Sequence, residues 1–447
     1  MIVEVPRRWR WGIGALVIVA FIELGWLWFG LGGEAERDAA SVVSTADAAL
    51  SSESPPPSGT ESATPSSDRS RVGEGEVLMC NTWVKVKPDG TPDEVDFDRA
   101  AHVPEVRQKL LSTLRADSSD YLRALAILVE STSADAEQRA AMSQAEACDA
   151  ACEEAREQQS LRRARGRDAL AKISASTTDP RVYALGYMTC ASSRPASSDA
   201  CQMLSAAQWA RLDPGNAQPW LYALSQAAQG RDAAGVQDAL FHIATSQRSE
   251  LRFLEPTGAL LSKLPDDESS SLAVLSLAYE SAGAQAALAL PGYADVVRLC
   301  RGPELRDANR RQVCQSIAET FSLRSDGMIE HAIGATMGER LGWPVAVTDR
   351  MRGERAMYEK SGRGSTSDPT TMTCATIADE LAHIRRVASV GETGVMRDWV
   401  TRSGIPGDEF VRQGQIVRAQ REASAASAAA TAASTAASAS ALASRTQ

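Results

Sequence analysis

The sequence predicts an all-α fold, and three observations carry that expectation. Alanine is abundant while aromatic residues make up only 5% of the chain, which suits closely packed helices better than strands that favour aromatic and β-branched side chains. Apolar residues recur with a helical period over most of the second half and much of the first. Asp179-Pro180 and Asp213-Pro214 stand 34 residues apart, each beside a run that reads as a helical hairpin. The length allows two or three domains. A net charge of −10, with arginines scattered among acids, argues against nucleic acid, which needs a clustered basic patch.

Taken in order, residues 1–10 read as a short cytoplasmic end. Trp11 to Leu31 is an apolar run with one charge, Glu23, and at about 1.5 Å per residue it spans the roughly 30 Å core of a bilayer. Arg7, Arg8 and Arg10 precede it, and Glu34, Glu36 and Asp38 follow, so the positive-inside rule places the rest of the chain outside the cytoplasm. The rival reading, a cleaved signal peptide, calls for a shorter apolar core and a small-residue cleavage site. Residues 32–75 are rich in Ser, Thr and Pro with little apolar surface to offset ordering, and read as a disordered tether. Residues 76–178 form an N-terminal helical part with one strand, Val77–Val86, closed by a Pro88-Asp89-Gly90 turn. Helical faces follow at Val106, Leu110, Leu111 and Leu114, then at Tyr121, Leu122, Leu125, Leu128 and Val129. A long charged segment over residues 134–175 has mainly alanine on its apolar side and must lean on neighbours at close range.

Residues 179–246 carry the repeat signal. Tyr183, Leu185 and Tyr187 lie on a first helix ending near Cys190. Ser198 is placed to cap a second, which carries Met203, Leu204, Ala207 and Trp209. A third carries Trp220, Leu221 and Leu224 and stops at Gly230, and a fourth carries Val236, Leu240, Phe241 and Ile243. Pro180, Pro214, Trp220 and the 34-residue spacing resemble the tetratricopeptide (TPR) repeat. Gly186 stands where that motif has tryptophan, Leu224 where it has glycine, and Gln202 and Val236 replace its small residue on the second helix. The resemblance implies stacked hairpins with a concave face that binds a peptide or protein. Tyr187, Trp209, Trp220 and Tyr222 are then the aromatic candidates for binding, although Trp209 and Trp220 also suit helix-to-helix packing. An irregular helical bundle is the alternative.

Further hairpins occupy residues 247–421. Leu272, Val274, Leu275 and Leu277 mark a helix expected to stop near Gly283. Tyr293–Cys300 is another, broken by Gly302-Pro303, and two short helices end near Arg421. Residues 422–447, almost only alanine, serine and threonine, have no face to bury and read as a disordered tail.

All eight cysteines lie beyond the apolar run, and an even number in an exported chain reads as disulfides. Cys190 and Cys201 flank one hairpin turn, and Cys300 and Cys314 flank another, where antiparallel helices bring Cα atoms to bonding distance. This arrangement resembles the Sel-like repeat family, whose hairpins are clasped by disulfides. Cys148 and Cys152 sit one helical turn apart, and Cys80 with Cys374 remains as a long-range staple. A zinc site is disfavoured, because the one close pair is C-x3-C without a nearby histidine.

No catalytic motif is legible: the four histidines form no H-E-x-x-H, and there is no nucleophile elbow, phosphate loop or dinucleotide fingerprint. His242 reads as a packing residue. The sequence thus predicts no cofactor, no metal and no enzyme. It predicts a single-pass bacterial inner-membrane protein with a periplasmic domain that binds an envelope protein or peptide. A structural spacer or assembly factor, or an envelope enzyme with a site assembled from distant residues, are the alternatives.

Overall fold

The computed structural model describes residues 75–88, 91–133, 138, 150–192, 198–288, 290–361 and 372–443. The expected membrane span, the tether up to residue 74 and Cys148 lie outside these residues. Among the described residues, no helix is long and apolar enough to cross a membrane.

The first element is a two-stranded antiparallel hairpin, β1 (Glu76–Met79) and β2 (Thr82–Lys85), with Met79 opposite Thr82. The single strand expected here is therefore folded in two. Cys80 and Asn81 have φ of 39° and 64°, the left-handed pair that a two-residue hairpin turn requires and that asparagine tolerates well.

The remaining described elements are helical. Asp93 caps α1 (Glu94–Ala100) by accepting from the Val95 and Asp96 amides. In α2 (Val103–Ala116) and α3 (Asp120–Thr132), Leu110, Leu114, Tyr121, Leu125, Leu128 and Val129 are buried, as their period predicts. The charged α4 (Ala150–Ser176) packs on α5 (Pro180–Ala191) at close range. A Cβ at Gly186 would fall 2.1 Å from Ser174 Oγ, so the tryptophan of the TPR motif has no room there.

Asp179 caps α5 directly, but the expected second helix is broken into α6 (Asp199–Gln202) and α7 (Ala206–Leu212). Ser198 caps the first piece and Ser205 the second, and the Ser205 amide donates to the Tyr183 hydroxyl at 2.9 Å. Asp213 closes α7, while α8 (Gln218–Gln229) starts four residues after Pro214 and ends at Gly230. The two Asp-Pro pairs thus occupy different structural positions.

After α9 (Ala233–Thr245) come α10 (Glu255–Leu261) and α11 (Ser271–Ala286), which runs past Gly283 instead of stopping there. Then follow α12 (Tyr293–Leu299), α13 (Ala308–Leu323), α14 (Met328–Leu341) and α15 (Val345–Lys360). Next is α16 (Cys374–Ser403), interrupted at Gly391, and then α17 (Gly407–Ala443); the two short helices expected near the end are the part of α16 beyond Gly391 and α17, which is much longer than expected. The stretch expected to be disordered from residue 422 is helical as far as Ala443, because alanine propagates a helix already nucleated by the packed residues before it.

Two large cores result. One joins β1, β2, α2 and α3 to α10, α11 and the first half of α16 through Val84, Leu114, Leu125, Leu260, Val274 and Ile377. The other gathers α8, α9, α12, α13 and α14 around Leu224, Ile243, Val296, Ile317 and Phe321. Disulfides join Cys190 to Cys201 and Cys300 to Cys314, each with Cα atoms 5.6 Å apart. A third joins Cys80 to Cys374 across a sequence separation of 294, and Cys152 is also disulfide-bonded. Short loops of this kind contribute about 3 kcal/mol in the chain-entropy model, and the long one more.

Candidate functional site

The aromatic residues singled out from the sequence are mostly inside. Tyr187, Trp209 and Tyr222 form a trio with ring centroids 5.3 to 5.7 Å apart, all buried. Burial pushes the Tyr187 hydroxyl up to about 12, against a hydrogen bond donated by Gln226, and pushes Tyr222 higher still. As surface anchors for a partner, Tyr187 and Tyr222 are therefore corrected: they are core. Trp220 is half-buried and stacks on His242, centroids 3.8 Å apart.

Trp209 differs from its neighbours. It is 2% exposed and its indole Nε1 has no acceptor, yet it lines a small crevice with Tyr121, Arg181, Asp213, Glu250, Arg252 and Glu255. The crevice encloses about 30 Å³, room for one small group.

The backbone that organises this region is a short non-helical segment, Arg248–Arg252, bridged at Arg248 and Ser249 and left-handed at Arg252 (φ 57°), where the sequence reading expected helical hairpins. Ladder-like bridges tie Arg248 to Asn216 and Ser249 to Ser325. Asn216, fully buried, accepts from the Glu250 amide at 3.0 Å and donates to the Glu250 carbonyl at 3.1 Å. The alternating side chains Arg248, Glu250 and Arg252 join a chain of ion pairs. Arg248 bonds Asp213 and Glu250, Arg252 lies 3.5 Å from both Asp213 and Glu250, and Glu255 links Arg252 (3.8 Å) to Arg181 (3.6 Å). Arg181 pairs with Asp179 at 2.7 Å and lies 4.3 Å over the Tyr121 ring. The aspartates of the two Asp-Pro pairs are thus members of one charge network. Burial works against Asp179 ionisation, but the Arg181 hydrogen bonds hold its carboxyl below the usual range. Burial pushes Glu255 up, against the pull of Arg252 and Arg181.

On its other side the same segment meets three acids. Asp326, in the turn between α13 and α14, accepts from the Leu251 and Arg252 amides at 2.9 and 2.8 Å. Glu330 is fully buried; its Oε1 accepts from Gln218 at 2.6 Å and from the Tyr293 hydroxyl, while Oε2 has no partner. Glu392 accepts from the Met328 amide at 2.9 Å, at the first turn of α14. Burial raises all three carboxyls; Glu330 adds to the shift of Asp326 and Asp326 to that of Glu392, which both reach about 7. Acids so displaced hold protons near neutrality and are candidates for proton-linked chemistry.

Neither the Trp209 crevice nor a wider cleft lined by Arg115, Ile127, Glu130 and Ile173 includes these acids. The sulfurs of Cys80 and Cys374 and a Glu268 oxygen lie within 4.8 Å of one another, but disulfide sulfurs are not the thiolates a metal requires. Compared with protein-family models, curated proteins and solved structures, the chain matches none.

Proposed function

We propose that the chain is a membrane-anchored helical scaffold of the bacterial periplasm, held by residues 11–31 and the 32–75 tether, that binds a protein or peptide of the cell envelope at the Trp209 crevice. The apolar run behind Arg7, Arg8 and Arg10 supports the anchor, and the disulfides fit an oxidising compartment. The observation that carries the binding role is the buried Trp209 N–H without an acceptor among the described residues. Leaving such a donor unsatisfied costs about 1–3 kcal/mol. A peptide carbonyl entering the crevice would accept from it, and the ring of Arg181, Arg252, Glu250 and Glu255 would hold the polar groups on either side.

The test is photo-crosslinking of the tagged full-length chain in cells, comparing the native sequence with Trp209→Phe, which keeps a ring and removes the donor. One dominant envelope partner, recovered at least fivefold less from the variant, is the expected result. Equal recovery from a variant that still folds would remove the crevice from the binding role. Deleting residues 34–74 separates a spacer, which fails with a short tether, from a binding module, which still captures its partner.

A further inference from the structure

Gly391 interrupts α16 with φ 74° and ψ 165°, and the break rests directly on the Ser325–Asp326 turn. A Cβ at Gly391 would fall 2.7 Å from the Asp326 Cβ and 2.8 Å from the Asp326 carbonyl oxygen, so only glycine permits this approach. The Thr393 amide donates to the Asp326 carbonyl at 3.2 Å, and the Thr393 hydroxyl donates to the Ser325 carbonyl. Glu392 reaches from the same break to the Met328 amide. Asp326 and Glu392 therefore hold the two sides of one junction, with Glu330 a turn further along α14.

We propose that Asp326, Glu330 and Glu392 form a proton-held latch that keeps the second half of α16, Glu392–Ser403, seated on the Ser325–Asp326 turn, and that the latch loosens as pH rises through neutrality. Among the described residues no ion pair joins any of the three to a cation. The groups facing them from the surrounding elements do not supply one. From the Arg248–Arg252 segment come Glu250, which adds like charge to Asp326, and Arg252, whose guanidinium is engaged with Asp213, Glu250 and Glu255. From α8 and α12 come Gln218 and Tyr293, both neutral donors to Glu330. From α15 comes Glu359, which adds like charge to Glu392. Arg324 in the turn itself bonds the Ser246 carbonyl. His331, beside Glu330 on α14, is kept neutral by burial, and Arg355 and Arg397 act in the same sense on it. With a proton on Glu330 and on one of the other two, the junction carries at most one charge. Once Asp326 and Glu392, both half-buried beside the buried Glu330, are ionised together they repel across the Gly391 break. The fastenings there are the two Thr393 bonds and the Glu392–Met328 bond.

Hydrogen exchange on the full-length chain, followed by mass spectrometry at pH 5.5 and pH 8.0 and corrected for the intrinsic pH dependence of exchange, reads the latch directly. Peptides containing Met328 and Thr393 should exchange at least tenfold faster at pH 8.0, while those spanning the Cys300–Cys314 hairpin keep their protection. Glu392→Gln, which still accepts from Met328 and cannot ionise, should reduce the difference to less than threefold. Equal exchange at the two pH values in the native chain overturns the proposal, whatever the variant does. So does a loss of protection spread evenly over the domain, which is global destabilisation, or an undiminished difference in a folded Glu392→Gln chain. Should that variant fail to fold, Asp326→Asn, which removes the other ionising group and keeps an oxygen toward the Leu251 and Arg252 amides, provides the second arm with the same expected reduction.

Discussion

On one side of Arg248–Arg252 every acid has an arginine beside it; on the other, three acids have none. Asp179, Glu250 and Glu255, all half-buried, and Asp213, buried, share Arg181, Arg248 and Arg252. Asp326, Glu330 and Glu392 are held by backbone amides, Gln218 and Tyr293. Near water, opposite charges are cheap to keep and gain little from each other. Further in, where pairing would require desolvating both partners, a proton on the acid does the neutralising. One five-residue segment can serve both regions because the alternate side chains Arg248, Glu250 and Arg252 enter the ion-pair network while the Leu251 and Arg252 amides donate to Asp326.

The largest effect should come from Gly391→Ala on the inner side, where a positive φ coincides with contact against the Asp326 backbone. A loss of about 3–4 kcal/mol in urea unfolding is expected, and a loss below about 1 kcal/mol would mean that the junction is not closely packed.

The pH dependence comes next, and its sign separates the two regions. Asp326 and Glu392 are raised to about 7 from ordinary values of 3.8 and 4.5. Their contribution is full below about pH 4 and is lost as pH rises through about 7. Asp179 is lowered, so its contribution is present above about pH 4 and is lost as pH falls through its depressed value. Thermal melting against pH should therefore peak between about 4 and 6, and Glu392→Gln should flatten only the alkaline limb. A profile rising steadily to pH 8 would refute the inner half of the comparison.

On the outer side Arg252→Ala should cost about 1 kcal/mol or less, and less again in about 0.5 M salt, because those pairs are solvent-screened. A salt-independent loss would show that the network is more deeply desolvated than its exposure indicates. Trp209→Phe should be smallest, about 1 kcal/mol or below, since the donor it removes has no acceptor among the described residues.

Much of the architecture was legible because it is local. The apolar period located Leu110, Leu114, Leu125 and Ile317 in the core, and Asp179, Ser198 and Gly230 announced helix ends. Antiparallel hairpin geometry identified Cys190–Cys201 and Cys300–Cys314. The candidate sites were harder to read for the opposite reason. Arg248–Arg252 is too short for a period, and its partners Asn216 and Ser325 lie on either side of it at long range. Glu330 follows Met328-Ile329 in a helix buried nearly all round, so nothing marks its position as interior, and acids are mostly exposed. The four aromatic residues were visible as a group, but pattern alone does not separate a concave binding face from the core behind it. Trp209 lines a crevice even though it is almost wholly buried, and only coordinates show that its N–H lacks an acceptor.

The Cys80–Cys374 bond has a mechanical consequence. Tension applied between the chain ahead of Cys80 and the helices beyond Cys374 runs through a single covalent link. The sequence separation of 294 corresponds to roughly 1,000 Å of extended chain, none of which can be drawn out while the bond is intact. Between those two points the chain behaves as a short inextensible strut, and a reductant, not a stretching force, is what would let it lengthen.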